Sequence, residues 1–330
     1  MDKLSLFFKQ NFLKQPMMSN TFFALIPLLI AGVYFYGLNV LILFFTVLFS
    51  GVLTEYLFAK LLKQKVSLAI FVSVILYVLI LPPNIPLWIA VTGIIFGISF
   101  GKMLFGGFGK NVFNPAITSR AFIYVSFGPY LTSKWFTPFI NFPAGFSRYK
   151  VDTITLATPL KDLLSRSVSS KIENLFQIDF NLIINYLFGN KSGSIGEGFI
   201  ILIILVGIYL IYKKYASYLV VLSGFFSFLI FSTILFFIGK SPNPFYMMLT
   251  GGWFFGLFFM ITDPVTSTTT KTGKIIYGSL YSFLTVVIRI FGIWTEGAMF
   301  AILICNTFAP LIDFLTKKVI NKKNEKNKKE

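Results

Sequence analysis

The chain has no histidine and a single cysteine, Cys305, among its 330 residues. The missing imidazole excludes histidine-ligated haem, histidine–zinc sites and any histidine-based catalytic triad in this chain. One thiol cannot hold a four-thiolate iron–sulfur cluster or form an internal disulfide bond. Cys305 lies in an apolar run, which predicts a small buried side chain. We therefore expect no metal site.

Charge is also scarce, since Asp, Glu, Lys and Arg make up 12% of the sequence and apolar residues make up 56%. A soluble domain usually carries about 25% charged residues, and the mean hydropathy here is +0.79. These values exclude an ordinary soluble globule and a disordered chain, and they predict a polytopic membrane protein. The formal net charge of +17 is typical of basic cytoplasmic loops, so we expect no nucleic acid partner.

Long stretches without charged residues predict about ten membrane-spanning helices, because a span needs roughly 20 mostly apolar residues. The expected spans lie near residues 21–37, 40–59, 66–81, 86–101, 113–129, 197–212, 216–238, 245–262, 275–292 and 297–315. Most lysines and arginines then fall on the side of the N-terminus. We therefore expect a multi-pass protein of the bacterial inner (plasma) membrane with both termini in the cytoplasm.

The spans divide the sequence into four parts. Residues 1–129 are expected to form a first five-helix half, and residues 130–196 a large extracytoplasmic segment. Residues 197–316 are expected to form a second five-helix half, and residues 317–330 a basic cytoplasmic tail. The fold class is all-α, and an odd number of spans in each half would make the halves inverted relative to each other, as in several transporter folds.

A weak internal similarity accompanies this division. Asn114–Ser119 (NPAITS) resembles Asp263–Ser267 (DPVTS), and a glycine-rich stretch precedes each segment. The charge-based topology puts both segments on the cytoplasmic face, whereas inverted repeats would put equivalent positions on opposite faces. The similarity therefore does not establish the inverted arrangement.

The extracytoplasmic segment contains Val151–Leu160, with the sequence VDTITLATPL. Asp152 is expected to begin a turn, and Pro159 pushes Thr158 toward an extended backbone. An extended, exposed threonine can present its hydroxyl to another molecule. Taken alone, the stretch also fits an ordinary loop that enters a helix at Pro159.

The same stretch resembles the flavin-attachment segment of the D subunit of the Rnf electron-transport complex and of its homologue NqrB. This family attaches FMN through its phosphate to the last threonine of a Ser/Thr-x-Ala-Thr pattern, which here reads TLAT and ends at Thr158. Leu156 replaces the common glycine of the pattern. Four further segments resemble the family, namely Gly106–Phe122, Gly189–Glu197, Ile261–Thr269 and Glu296–Asp313.

The resemblance implies a covalent FMN phosphoester on Thr158, with Asp152, Thr155, Ala157 and Pro159 in the attachment motif. It implies a flavoprotein subunit of a translocase that relays electrons between ferredoxin and NAD with coupled Na⁺ or H⁺ transport. The implied partners are the membrane, flavinylated and iron–sulfur or NADH-binding subunits of an Rnf-type complex, a flavin transferase and the lipid bilayer. An organic cofactor suits a chain without metal ligands, since the protein then supplies position and electrostatics.

Polar residues near the expected membrane boundaries have two interpretations. Asn114 and Asp263 each precede a proline, as the cap of a helix often does. Together with Arg120 and Thr266, they are also candidates for a polar cavity that binds an ion or a second, non-covalent flavin such as riboflavin.

Charged residues at the opposite boundary are interpreted as structural. Glu197 follows a tight glycine-containing loop and is expected to cap the next helix, with cation binding as the alternative. Arg289 and Glu296 are expected to form a local ion pair, with a transport role as the alternative.

Two other functions fit the same sequence. An NqrB-type subunit of a Na⁺-pumping NADH:quinone reductase would share the motifs, although the short region Met1–Gln15 favours the Rnf-type subunit. A solute channel or transporter without a redox role would share the architecture, because the family fold resembles that of urea transporters. A flavin on Thr158 distinguishes the redox function from the channel.

Overall fold

The computed structural model of the chain describes residues 11–132, 136–139, 142–149, 180–292 and 297–327. Thr158 and the other residues of the expected attachment motif lie outside these ranges, as does Glu296. The described part is mostly helical, with one short parallel ladder in which β1 (Phe12–Leu13) pairs with β2 (Val66–Ser67). The predicted helical fold class is confirmed for this part of the chain.

The first half of the bundle contains five helices, α1 (Pro16–Tyr36), α2 (Asn39–Leu61), α3 (Ala69–Leu79), α4 (Leu87–Ile98) and α5 (Pro115–Ser126). Helix α4 continues into a π-helical turn at Ser99–Met103. Gly37 ends α1 with a φ of +96°, a conformation that glycine adopts without a steric penalty. The chain therefore reverses into α2 within two residues.

The remaining helices are α6 (Gly128–Thr132), α7 (Phe180–Leu187), α8 (Ile200–Tyr212), α9 (Tyr218–Phe237), α10 (Pro244–Leu249), α11 (Trp253–Phe255), α12 (Lys271–Phe291) and α13 (Ala298–Asn327). A 3₁₀ turn at Ala144–Ser147 lies between α6 and α7, and a π-helical turn at Gly256–Met260 extends α11. Helix α13 continues across residue 316 without a break, so the first part of the basic tail is helical.

The two ends of the bundle are named here by the course of α1. The proximal end is where α1 begins, and the distal end is where α1 turns into α2. Helix α8 starts at the distal end, where the Gly196 N–H donates to the Leu79 carbonyl at 2.6 Å. It ends at the proximal end, where the Asn20 amide donates to the Tyr215 hydroxyl at 2.7 Å. The charge-based topology predicts that the proximal end is cytoplasmic.

Five helices are long and apolar enough to cross a membrane, namely α1, α2, α9, α12 and α13. Between 28% and 39% of each candidate window is buried inside the protein. The exposed remainder is apolar, as at Phe45 and Phe49 on α2 and at Phe226 and Ile230 on α9. These outward-facing side chains are typical of helices that contact lipid.

Three further apolar helices are shorter, namely Ala69–Leu79, Leu87–Met103 and Ile200–Tyr212. An 11-residue helix such as α3 is about 16 Å long, which is less than the roughly 30 Å hydrocarbon core of a bilayer. The expected number of about ten spans and the inverted arrangement of the halves therefore stay predictions.

The expected span at residues 245–262 is not a single continuous helix. The chain forms α10 and α11 instead, with Thr250–Gly252 between them. Gly251 has a φ of +66°, and two adjacent glycines give this position little helix propensity. Thr250 at this break is buried, and its N–H donates to the Tyr246 carbonyl at 3.1 Å. Cys305, by contrast, is fully buried as predicted.

Candidate functional site

A cavity of about 70 Å³ lies at the proximal end of the bundle. The starts of α1, α3 and α5, the end of α8 and the residues that follow the π-helical turn at Gly256–Met260 form its wall. Its polar lining residues include Thr21, Lys102, Asn111, Asn114, Tyr215 and Asp263. The structure therefore places Asn114 and Asp263, the two members of the internal similarity, on one cavity.

Asn114 is the cap of α5, as predicted. Its side-chain oxygen accepts a hydrogen bond from the Ala116 N–H at 3.0 Å, and its backbone is extended. Asn114 is only 3% exposed. The cap therefore fixes the start of α5 at the wall of the proximal cavity.

Asp263 does not cap a helix, which contradicts the prediction. Its carboxylate accepts hydrogen bonds from the Val265 N–H at 3.1 Å and the Thr266 hydroxyl at 3.2 Å, within a turn. The residues after Pro264 are mostly valine, threonine and serine, which are weak helix formers. Burial raises the pKa of Asp263, and the two hydrogen bonds oppose that rise.

The four residues expected to share one polar cavity are divided between two places. Asn114 and Asp263 line the proximal cavity, and Thr266 supports Asp263 through its hydroxyl. Arg120 lines a second cavity of about 20 Å³, together with Glu197 and Gly252. Arg120 lies six residues after Asn114, which is about 1.7 helical turns further along α5.

Arg120 and Glu197 form a buried ion pair beside the second cavity. The Arg120 Nη1 atom lies 3.4 Å from Glu197 Oε1, and Nη2 lies 3.5 Å from the Ser194 hydroxyl. The cap position of α8 is Phe199, which makes no side-chain cap bond. The expectation that Glu197 caps this helix is therefore wrong, because its carboxylate pairs with the guanidinium.

Two more buried cations contact the C-terminal end of α10. The Lys191 ammonium donates to the Leu249 carbonyl at 2.6 Å, and Arg289 Nη1 donates to the Met247 carbonyl at 2.7 Å. The last carbonyls of a helix lack partners within the helix and carry partial negative charge, so cations stabilise them. Burial lowers the pKa of Lys191 to about 8. The negative charge of Glu197 opposes this decrease, and the positive charge of Arg289 adds to it. The expected pair of Arg289 with Glu296 lies outside the described residues.

A second ion pair lies at the proximal end, where Lys102 contacts Glu55 at 2.7 Å. The Lys102 ammonium also donates to the Ser67 hydroxyl at 2.6 Å, and Glu55 accepts from both the Ser67 N–H and its hydroxyl. Sequence reasoning did not single out this triad. The available signal was Glu55 itself, since a carboxylate inside an apolar helix usually has a partner.

Asp313 holds the segment after Asp263 against α13. Its carboxylate accepts from the backbone N–H groups of Thr269 and Thr270 at 2.9 to 3.2 Å, and from both threonine hydroxyls. This contact joins two of the segments that carry the family resemblance. It fixes the start of α12, where Thr270 also caps the helix.

The residues on both sides of the attachment segment lie at the distal end. The N–H groups of Leu38 and Asn39 donate to the carbonyls of Arg148 and Tyr149 at 3.0 and 2.8 Å. After the segment, Phe188 at the end of α7 packs 6.4 Å from Phe199, measured between ring centroids. The two described flanks of the attachment segment therefore lie at the end of the bundle that also holds Lys191 and Glu197.

A metal ion is held by several ligating side chains close together. The described ranges contain no group of three His, Cys, Asp or Glu residues that could hold a metal ion. The proximal cavity has a volume of about 70 Å³ and is lined by Asn114 and Asp263. The second, non-covalent flavin expected at these residues stays a prediction.

Comparison with known proteins gives a family match along nearly the whole chain. The family model described as "NQR2, RnfD, RnfE family" matches residues 3–322. The B subunit of the Na(+)-translocating NADH-quinone reductase of Ectopseudomonas mendocina (strain ymp) is 38% identical over 266 residues, covering 78% of this chain. Its counterpart in Stutzerimonas stutzeri (strain A1501) is also 38% identical over 266 residues. This chain spans 62% of the length of each of these relatives.

A relative from a second kind of complex matches over a longer stretch. The D subunit of the Na(+)-translocating ferredoxin:NAD(+) oxidoreductase complex of Acetobacterium woodii is 34% identical over 306 residues. The match covers 92% of this chain and 89% of that relative.

Proposed function

The chain belongs to the NQR2, RnfD, RnfE family, and on that basis we propose that it is a membrane subunit of an ion-translocating oxidoreductase complex. The family match over residues 3–322 is the observation that carries the proposal. The apolar helices of the bundle support it, since five of them have the length and composition of membrane spans.

The proposed role is electron relay through an FMN bound covalently to the Thr158 hydroxyl. When bound, the flavin supplies one- and two-electron chemistry that the side chains of this protein cannot perform. The chain positions it, because Thr158 is nine residues beyond Tyr149, whose carbonyl is hydrogen bonded to Asn39. An extended chain rises about 3.3–3.6 Å per residue, so Thr158 would lie within roughly 32 Å of Tyr149.

The proposed partners supply what the chain lacks. Without histidine and with one cysteine, it needs iron–sulfur and NADH-binding subunits in other chains, together with a flavinylated membrane subunit. A separate flavin transferase would form the phosphoester. The overall reaction would pass electrons between ferredoxin and NAD with coupled movement of Na⁺ or H⁺, as the name of the Acetobacterium woodii relative suggests.

Flavin fluorescence of the denatured protein tests the attachment. The chain is expressed with the matching transferase and separated on a denaturing gel, where a covalent flavin fluoresces under ultraviolet light. We expect Thr158→Ala to remove the fluorescence and Thr153→Ala to keep it, since Thr153 is not the last threonine of the pattern. A colourless wild-type band, or an unmodified peptide from the native assembly in mass spectrometry, would contradict the proposal.

An NqrB-type role is the alternative within the family. The higher identity belongs to the quinone reductase relatives, at 38%, whereas the longer match, over 92% of this chain, belongs to the ferredoxin-dependent one. Membranes that contain the complex distinguish the two. Reduction of NAD by reduced ferredoxin supports the Rnf-type role, and reduction of a quinone by NADH supports the NqrB-type role.

A further inference from the structure

The two cavities follow one another along the same pair of elements. On α5, Asn114 lines the proximal cavity and Arg120 lines the second one. On α3, Leu76 lines the proximal cavity, and Ile80, directly after the helix, lines the second one. The voids therefore form a line that runs from the proximal end toward the middle of the bundle.

A buried ion pair lies beside the second cavity. Glu197 is the one acidic residue that lines this cavity among the described residues, and Arg120 lies 3.4 Å from it. A carboxylate that contacts a guanidinium does not offer a free binding site to a cation. Gly252 leaves room for this carboxylate, because a Cβ atom at residue 252 would collide with Glu197 Oε1.

The next charged group toward the distal end is again positive. Lys191 is 6% exposed, and its hydrogen-bond partner in the described structure is the Leu249 carbonyl, not a carboxylate. A cation that approached from the second cavity would meet this ammonium in a medium of low dielectric constant. Repulsion between like charges is several times stronger there than in water.

We propose that Arg120 and Lys191 form an electrostatic seal that keeps this line of cavities closed to Na⁺. Fixed positive groups exclude cations from narrow pores in the same way in other membrane proteins. The inference goes beyond the proposed function, because it assigns these residues to insulation and not to electron transfer. A subunit of an ion pump needs such insulation, since a passive leak would dissipate the ion gradient.

The passive leak of reconstituted vesicles tests the seal. The chain is purified with the subunits that co-assemble with it and is inserted into liposomes, and entry of radioactive sodium is measured without an electron donor. Arg120→Gln frees the Glu197 carboxylate, and we expect passive entry to rise by at least about tenfold, the effect of roughly 1.4 kcal/mol on a barrier. Arg120→Lys keeps the charge and should stay close to wild type.

A double variant separates a lost seal from a damaged fold. Arg120→Gln combined with Glu197→Gln removes the carboxylate that would attract the cation, so its leak should be well below that of the single variant. If the protein were merely damaged, the double variant would leak at least as much. Equal leaks in the single and double variants would therefore overturn the proposal.

Lys191→Gln provides an independent measurement in which the ion pair is intact. We expect a smaller rise in sodium entry, and the exposed Lys240→Gln should leave the leak unchanged. If passive sodium entry into vesicles with Lys191→Gln equals that of wild type, the role of Lys191 is contradicted. If Arg120→Gln stops electron-driven sodium uptake without raising the passive leak, the cavities are a transport path and the seal is wrong.

Discussion

Among the described residues, the proximal and distal regions each bury one ion pair, and the two pairs differ in their surroundings. At the proximal end, Lys102 contacts Glu55 at 2.7 Å, and Ser67 completes the hydrogen bonds of both. In the distal half, Arg120 lies 3.4 Å from Glu197 beside a cavity of about 20 Å³.

This difference indicates two roles for buried charge in one bundle. The short Lys102–Glu55 pair, whose hydrogen bonds are completed by Ser67, joins α2, β2 and the π-helical turn after α4. It therefore stabilises the fold. The longer Arg120–Glu197 pair lies next to a cavity with room for one water molecule. Its side chains can therefore shift when a charge comes close. We therefore expect substitutions of the proximal pair to affect stability most, and substitutions of the distal pair to affect permeability.

Lys102→Met should give the largest loss of stability. It leaves the Glu55 carboxylate buried without its cation, which typically costs about 3–5 kcal/mol. The expected result is a strongly lowered midpoint of thermal unfolding in detergent, or loss of the protein from the membrane. The matched distal variant Arg120→Met should be less destabilising, because its pair is longer and borders a cavity.

A double variant checks that the loss comes from the unpaired charge. Combining Lys102→Met with Glu55→Leu removes both charges, and apolar residues often replace a buried pair without loss of stability. We expect the double variant to unfold at a higher temperature than Lys102→Met alone. Equal unfolding midpoints for Lys102→Met and Arg120→Met would contradict the expectation that the proximal ion pair contributes more to stability than the distal one.

Gly252→Ala should give an intermediate effect confined to the distal half. The new Cβ atom collides with the Glu197 carboxylate, and overpacking of this kind costs typically about 1–3 kcal/mol. Gly128→Ala is the control, since no atom lies within 4 Å of its added Cβ. Thermal unfolding should separate the two variants, and a Gly252→Ala protein as stable as Gly128→Ala would show that the carboxylate moves freely.

The helices could be predicted from the sequence because length and apolar content decide them. Helices lie within all ten expected spans, and Gly37 marks the first reversal in the described structure. The break at Thr250–Gly252 was missed, since hydropathy does not distinguish one long helix from two short ones. Only the glycine pair signalled it, and glycines are common in membrane helices.

The polar sites were less predictable, because they depend on which helices meet. The cap at Asn114 was found, since a cap needs only local sequence. The pairing of Arg120 with Glu197 joins residues 77 positions apart, and that of Lys102 with Glu55 joins residues 47 apart. Each of the four appeared as an isolated charge, and no local pattern names its partner. The attachment motif at Thr158 lies outside the described residues and stays a prediction.

Two asparagine caps give the smallest expected difference between the ends. Asn114 caps α5 at the proximal cavity, and Asn243 caps α10 at the distal end, where its side chain accepts from the Phe245 N–H at 3.0 Å. Removal of a cap typically costs about 1 kcal/mol. We expect Asn114→Ala to cost more than Asn243→Ala, because the Ala116 N–H is buried and water cannot replace the lost acceptor. The Phe245 N–H lies in a more exposed environment, so solvent can satisfy it.

The thermal unfolding midpoints of the two variants test this expectation. A larger loss of stability for Asn243→Ala would show that α10 depends more on its N-terminal cap than on Lys191 and Arg289, the buried cations at its C-terminal end.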